Sequence, residues 1–117
     1  MLVFYEYPKC STCRKAKAEL KELGLNFEAV DIKKSPPQAE DIALWIKRSD
    51  YPLKAFFNTS GQSYRTHGLK DKIQGLTVTE AAALLAADGM LLKRPILVKD
   101  GELLQLGYRT AYRMLNL

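Results

Sequence analysis

Leu2-Val3-Phe4-Tyr5-Glu6-Tyr7-Pro8-Lys9-Cys10-Ser11-Thr12-Cys13-Arg14-Lys15-Ala16 opens the chain and carries the signs of a strand, a turn and a helix start. Leu2 to Tyr5 is a short β-branched and aromatic run, and Pro8 closes it, as expected of a buried strand. From Cys13 the apolar residues return at Ala16, Leu20 and Leu23, which is one face of a helix, and Gly24 suits the position just past its end. Phe27 to Ile32 alternates imperfectly, but its length and bounding residues favour a second strand. These pieces predict a βαβ unit with a right-handed crossover and a Cys-x-x-Cys at the first strand-to-helix turn.

Outward from that unit, Ser35-Pro36-Pro37 breaks the chain and presets a helix whose apolar face is Ile42, Trp45 and Ile46, ending near Ser49. Asn58-Thr59-Ser60-Gly61 is turn chemistry, with short helical pieces expected from Tyr64 to Ile73. Thr77-Val78-Thr79-Glu80 has the spacing of a capping box, Ala81, Ala82 and Leu85 follow on one face, and Asp88-Gly89 ends that helix. After Arg94-Pro95, the run Ile96-Leu97-Val98, the turn Lys99-Asp100-Gly101-Glu102 and Leu103 to Leu106 predict an antiparallel hairpin. Tyr108, Tyr112 and Leu115 predict a last amphipathic helix. The expected architecture is α/β: one domain over residues 1–117, a four-stranded mixed sheet built as βαβ then ββα, with a helical segment over about 36–90 between the halves.

A chain of 117 residues leaves room for one core, and 47% hydrophobic and 26% charged residues exclude collagen-like and disordered classes. Apolar stretches such as Ala81 to Ala87 are far shorter than a bilayer span, and Leu2 to Tyr5 is too short for a signal-peptide core. A soluble cytoplasmic protein without membrane contact is expected, monomeric by default. The excess of 18 basic over 13 acidic residues, a net charge of +5, favours anionic small molecules or acidic protein surfaces. The basic residues are dispersed and no nucleic-acid motif occurs, so direct nucleic-acid binding is not expected. Trp45, the tyrosines and Phe56-Phe57 fall on helix faces and strand positions and read as packing.

Cys10 and Cys13 are the two cysteines. Such a pair, in a chain without a secretion signal, reads as redox chemistry before it reads as a structural disulfide. Zinc is a competing account, but one Cys pair and His67 give three candidates where four ligands are usual. Two cysteines filling a helix–sheet junction is the bland one. A thiolate is the nucleophile, and Cys10 lies where a helix N-terminus, Lys9, Arg14 and Lys15 all favour negative charge. Cys10 is therefore expected to attack, and Cys13, one turn later and more buried, to resolve the resulting adduct. Arg94-Pro95 is either a strand-entry proline or the source of a fixed planar cation near Cys10, and the residues alone leave both open. His67 is a candidate proton carrier or an inert loop histidine.

Tyr7-Pro8-Lys9-Cys10-Ser11-Thr12-Cys13-Arg14-Lys15-Ala16, Phe57-Asn58-Thr59-Ser60-Gly61, Leu92-Lys93-Arg94-Pro95-Ile96-Leu97-Val98 and Leu106-Gly107-Tyr108 resemble, in order and along nearly the whole chain, the family of glutaredoxin-linked arsenate reductases and Spx/MgsR-type proteins. The resemblance implies a thioredoxin-like fold in which Pro95 is a cis-proline facing the cysteine turn. In the reductases, the cysteine matching Cys10 attacks arsenate held by three basic residues, with glutathione and glutaredoxin as electron donor and no other cofactor. Here the second of these positions is Arg94, the first falls on Lys54, and the third falls at or beside Gly107, with Arg109 two residues on. In Spx-like proteins a Cys-x-x-Cys instead switches binding to the RNA polymerase α subunit, without catalysis. The expected site is Cys10, Cys13 and Arg94 as catalytic groups, with Lys54, Arg14, Pro95 and Arg109 around the substrate. The expected partners are a small thiol or glutaredoxin, or else the polymerase α subunit.

Overall fold

Strand β1 (Leu2–Glu6) alternates as a pleated strand must, burying Leu2, Phe4 and Glu6, in the computed structural model, which describes residues 1–117. The chain turns through Tyr7 to Lys9 and enters helix α1 (Ser11–Glu22), which turns Cys13, Ala16, Glu19 and Leu20 inward. Gly24, at φ +70°, ends the helix in the left-handed conformation that glycine tolerates best. Strand β2 (Phe27–Asp31) pairs parallel with β1 and completes the βαβ unit. Strands β3 (Ile96–Lys99) and β4 (Glu102–Leu106) form the hairpin, and β3 lies antiparallel to β1, giving the order β2-β1-β3-β4. Asp100 and Gly101 both take positive φ at its turn, which matches the twist of the two strands.

The chain divides into two compact units, Met1–Asp31 with Arg94–Leu117, and Ile32–Lys93. The first contains the sheet and α1. Its core is Leu2, Phe4, Ala16, Leu20, Leu97 and Tyr112, with Phe27, Leu104, Tyr108 and Leu115 packed against it. Phe4 meets Phe27 and Tyr112 edge-on, at centroid distances of 6.0 and 6.5 Å. Glu6, buried at the end of β1, is paired with Lys17 of α1 at 2.9 Å.

The second unit holds α2 (Ala39–Arg48), α3 (Gln62–Thr66), α4 (Val78–Ala87) and several 3₁₀ turns. The predicted capping box is formed: Glu80 N–H donates to Thr77 Oγ1 at 3.1 Å and Thr77 N–H to Glu80 Oε1 at 2.9 Å. Helices α2 and α4 pack on each other. The Phe56-Phe57 segment is tied to Leu91-Leu92-Lys93 by Asn58 N–H to Leu91 O at 2.7 Å and Lys93 N–H to Phe56 O at 2.9 Å. Gly89 sits where a Cβ would lie 1.8 Å from the Ile32 carbonyl oxygen. Because that neighbour is backbone and cannot step aside, Gly89→Ala is expected to destabilise the protein by about 3 kcal/mol, the upper end of overpacking costs. Urea unfolding of the variant checks this, and an unchanged midpoint would refute the close approach.

One expected element is absent. The C-terminal amphipathic helix is reduced to a single 3₁₀ turn, Tyr112–Met114, with Ala111 extended before it. The N–H groups a helix would have used are taken by side chains from elsewhere in the fold. Gln105 Oε1 accepts from Arg109 N–H at 2.6 Å and from Thr110 N–H at 2.8 Å. The Glu19 carboxylate accepts from the N–H groups of Tyr112 and Arg113. The second half of the sheet unit is thus ββ followed by a side-chain-pinned segment. No helix of the protein is long and apolar enough to cross a membrane.

Candidate active site

Cys10 is the N-cap of α1, extended at φ −84° and ψ 123°, with its N–H donated to Tyr7 O at 2.9 Å and its carbonyl accepting from Arg14 N–H at 3.1 Å. Its backbone is therefore held on both sides while its thiol remains partly accessible. Burial by itself would raise the Cys10 pKa. The Cys13 N–H and thiol, the Thr12 N–H and the positive charge of Arg94 outweigh it, and the thiol sits below the ordinary cysteine value. This is the free-donor end of a helix acting on a sulfur anion.

Cys13, fully buried one turn on, goes the other way. Burial pushes its pKa up to about 12, assisted by the neighbouring Cys10 and opposed by the Tyr7 N–H and Arg94. Tyr7 N–H donates to Cys13 Sγ at 3.5 Å. Both thiols are free. The pair is thus split into one sulfur that ionises readily and one that holds its proton.

Arg94 precedes β3 through a cis peptide bond to Pro95, the isomer that the family resemblance implied. Its guanidinium lies over the Tyr7 ring, 5.2 Å from the centroid, and its charge reaches both sulfurs. Tyr7 was not among the expected site residues. It touches the site three times, by its carbonyl to Cys10, its N–H to Cys13 and its ring to Arg94. The only signal in the sequence was its place two residues before Lys9.

Arg14 and Arg109 are engaged with backbone carbonyls. Arg14 Nε donates to Pro8 O at 3.0 Å, bracing the turn that leads into Cys10. Arg109 Nε donates to Leu106 O at 3.1 Å. Gly107, at or beside which the resemblance put the third basic position, has φ +75° and donates its N–H to Pro95 O at 2.8 Å. Lys54 belongs to the second unit, in the 3₁₀ turn Leu53–Phe56. His67, also there, is half exposed with Nε2 3.8 Å from Asp88 Oδ2. No group of three or more His, Cys, Asp or Glu side chains is arranged to hold a metal ion.

Chemically, the arrangement can form and break sulfur–sulfur bonds. A crystal structure described as that of a possible arsenate reductase from Streptococcus mutans UA159 is 64% identical and superposes with a TM-score of 0.95, covering 97% of this chain and 95% of that one. The uncharacterized protein YusI of Bacillus subtilis is 46% identical over 92% of this chain and 91% of its own length. The regulatory protein MgsR of Bacillus subtilis is 33% identical over 92% of this chain and 82% of its own. The ArsC family model matches residues 5–113, from within β1 into the pinned C-terminal segment. With its thioredoxin-like sheet, its Cys-x-x-Cys at a helix N-terminus and that match over nearly its whole length, the chain belongs to the ArsC family.

Proposed function

We propose that the protein is a thiol-dependent reductase acting on a disulfide or glutathione adduct. The observation that carries this reading is the opposite displacement of the two thiols, Cys10 lowered and accessible, Cys13 raised and buried. The Cys10 thiolate attacks one sulfur of the substrate disulfide, forms a mixed disulfide and expels the other sulfur as a thiolate, which takes up a proton. Cys13 then loses its proton, attacks Cys10 Sγ and expels the bound thiol, leaving a Cys10–Cys13 disulfide. Two electrons from glutathione, directly or through glutaredoxin, return the pair to the dithiol. Arg94 steadies the anion at Cys10 throughout. Arsenate is the less favoured substrate of the same site, because Gly107 stands where a third cation would hold the oxyanion and Arg109 is engaged with Leu106 O. The cytoplasm, with its reducing thiol pool, is the compartment that suits such a cycle.

The 33% identity to a regulatory protein supports a second reading, in which the same Cys10–Cys13 disulfide switches binding to the RNA polymerase α subunit. A glutathione- and glutaredoxin-coupled assay with a mixed glutathione disulfide and with arsenate separates the two. Turnover that Cys13→Ser slows more for the disulfide than for arsenate is expected. No turnover on either substrate, with capture of the polymerase α subunit by only one redox form, would replace the reductase reading with the regulatory one.

A further inference from the structure

Tyr5 lies opposite Ile96, Ile96 opposite Leu106 and Glu6 opposite Asp31. The turn that carries Cys10, the cis bond before Pro95 and the chain beyond β4 therefore meet at one end of the sheet. Four cations are placed there. Lys9 is the chain neighbour of Cys10 and is exposed. Arg14 is held on Pro8 O at 3.0 Å, Arg94 over the Tyr7 ring at 5.2 Å and Arg109 on Leu106 O at 3.1 Å. A guanidinium bonded to a carbonyl or laid over a ring keeps its full charge. The acidic residues leave this charge largely unopposed. From Tyr7 to Ala18 the chain has none, and the two that bracket this stretch are buried and paired, Glu6 with Lys17 at 2.9 Å and Glu19 with Arg113 at 2.8 Å. Asp100 and Glu102 sit at the hairpin turn, at the opposite end of the sheet. Asp31, half-buried at the end of β2, is the one other carboxylate that the strands bring here. With the Cys10 thiolate formed, four cations face two anions, a net charge of about +2.

We propose that this charge selects the substrate: Cys10 reacts preferentially with small disulfides that carry carboxylates, and Lys9 is a specificity-determining residue for them. The inference rests on the reductase reading above and names the class of disulfide that it takes. In the selected step the Cys10 thiolate attacks one sulfur, a new sulfur–sulfur bond forms as the old one breaks, and the outgoing half leaves with the electron pair as a thiolate. A bare thiolate repels an anionic disulfide, and the surrounding cations reverse the sign of that encounter. Charges at the rim of a site act mainly on the rate of approach and on its salt dependence. Arg14, Arg94 and Arg109 each also hold part of the backbone or a ring, so their removal disturbs the site itself. Lys9 stands exposed in the turn, and its charge can be changed with little structural consequence.

Three disulfides of different charge read this directly: glutathione disulfide, a dianion at neutral pH, uncharged bis(2-hydroxyethyl) disulfide, and cystamine, a dication. The loss of reduced protein is followed in acid-quenched samples. Each rate is divided by that of 2-mercaptoethanol thiolate with the same disulfide at the same ionic strength, which cancels differences between the disulfides. One pair of opposite charges about 8 Å apart in water is worth roughly twofold at an ionic strength of about 0.01 M, and several such pairs act together here. The normalised rates are expected to fall in the order given, with glutathione disulfide ahead of cystamine by at least about tenfold, and to converge as salt shortens the screening length to about 3 Å at 1 M. Lys9→Glu takes the net charge from about +2 to about zero, and is expected to slow glutathione disulfide, speed cystamine and bring their ratio close to one. An effect passed through the reactivity of Cys10 would move all three disulfides in the same direction. Equal normalised rates in the native protein, or a parallel shift of all three in Lys9→Glu, overturns the inference while leaving the reductase reading intact. No reaction of Cys10 with any of the three overturns the reductase reading and the inference with it.

Discussion

Cys10→Ser is expected to reduce turnover of a mixed glutathione disulfide to background, a loss of at least about a thousandfold, because a serine hydroxyl at the same N-cap offers almost no anion at neutral pH. The pH dependence of the native protein makes the cause testable. The Cys10 pKa is lowered, so the reactive thiolate persists to more acid pH than in an ordinary cysteine and is lost only as pH falls through that lowered value. Alkylation of Cys10 by iodoacetamide, followed against pH, is therefore expected to show its midpoint below that of free cysteine. Arg94→Ala removes one of the named causes and is expected to move the midpoint up. Tyr7→Leu, which leaves the backbone bonds of residue 7 but removes the ring under the guanidinium, is expected to move it in the same direction by less. A midpoint equal to that of free cysteine in the native protein would mean that the helix N-terminus does not act on this sulfur, and the assignment of Cys10 as nucleophile would lose its physical basis.

Glu19→Ala is expected to be the most damaging single change to stability outside the apolar core. The Glu19 carboxylate, 4% exposed, accepts from Tyr108 Oη at 2.6 Å, from Arg113 Nε at 2.8 Å, and from the N–H groups of Tyr112 and Arg113. Losing it strands buried donors, at a cost of about 3–5 kcal/mol, against a total stability of roughly 5–15 kcal/mol for a domain of this kind. The melting temperature should fall by on the order of 10–20 °C. Burial would raise the Glu19 pKa, but the hydrogen bonds from Tyr108, Arg113 and Tyr112 outweigh it and bring it down to about 2. A depressed carboxyl pKa contributes stability that is present above the ordinary carboxyl value and lost as pH falls through the lowered one. Urea unfolding between pH 5 and about 2 should therefore show the native protein losing stability, and Glu19→Gln losing less over the same window because it has no proton to take up. Equal slopes for the two proteins would remove Glu19 from the account of the C-terminal segment.

The helix expected at Tyr108 to Leu115, which the structure lacks, and the role of Glu19 both escape the sequence for one reason. The spacing of Tyr108, Tyr112 and Leu115 fits a helix face, and nothing within four residues argues against it. What prevents the helix is a carboxylate 93 positions earlier in the chain, together with Gln105, which take the N–H groups that helical carbonyls would have received. Glu19 itself stands three residues after Ala16 on the apolar face of α1, so a buried charge in need of partners was legible there, though not which partners. The same limit applies to the site. Cys10 at a helix N-terminus follows from neighbours in sequence, while the stacking of Arg94 on Tyr7 joins segments from opposite ends of the chain, and the bond from Gly107 to Pro95 closes across the β3–β4 hairpin.

By itself the sequence determined what interactions over a few residues decide: the βαβ start, the cysteine pair at its turn, the capping box at Thr77 and Glu80, and the hairpin at Asp100-Gly101. Periodicity, caps and positive-φ turns are energies between residues at most about four apart, and they can be read in order along the chain. Tertiary structure alone decided how burial and Arg94 act on the two thiols, what holds Arg94, why the last segment is not a helix, and that Tyr112 keeps a buried hydroxyl without a partner. Those outcomes depend on burial and on donors brought together from distant positions, and neither quantity exists until the chain has folded.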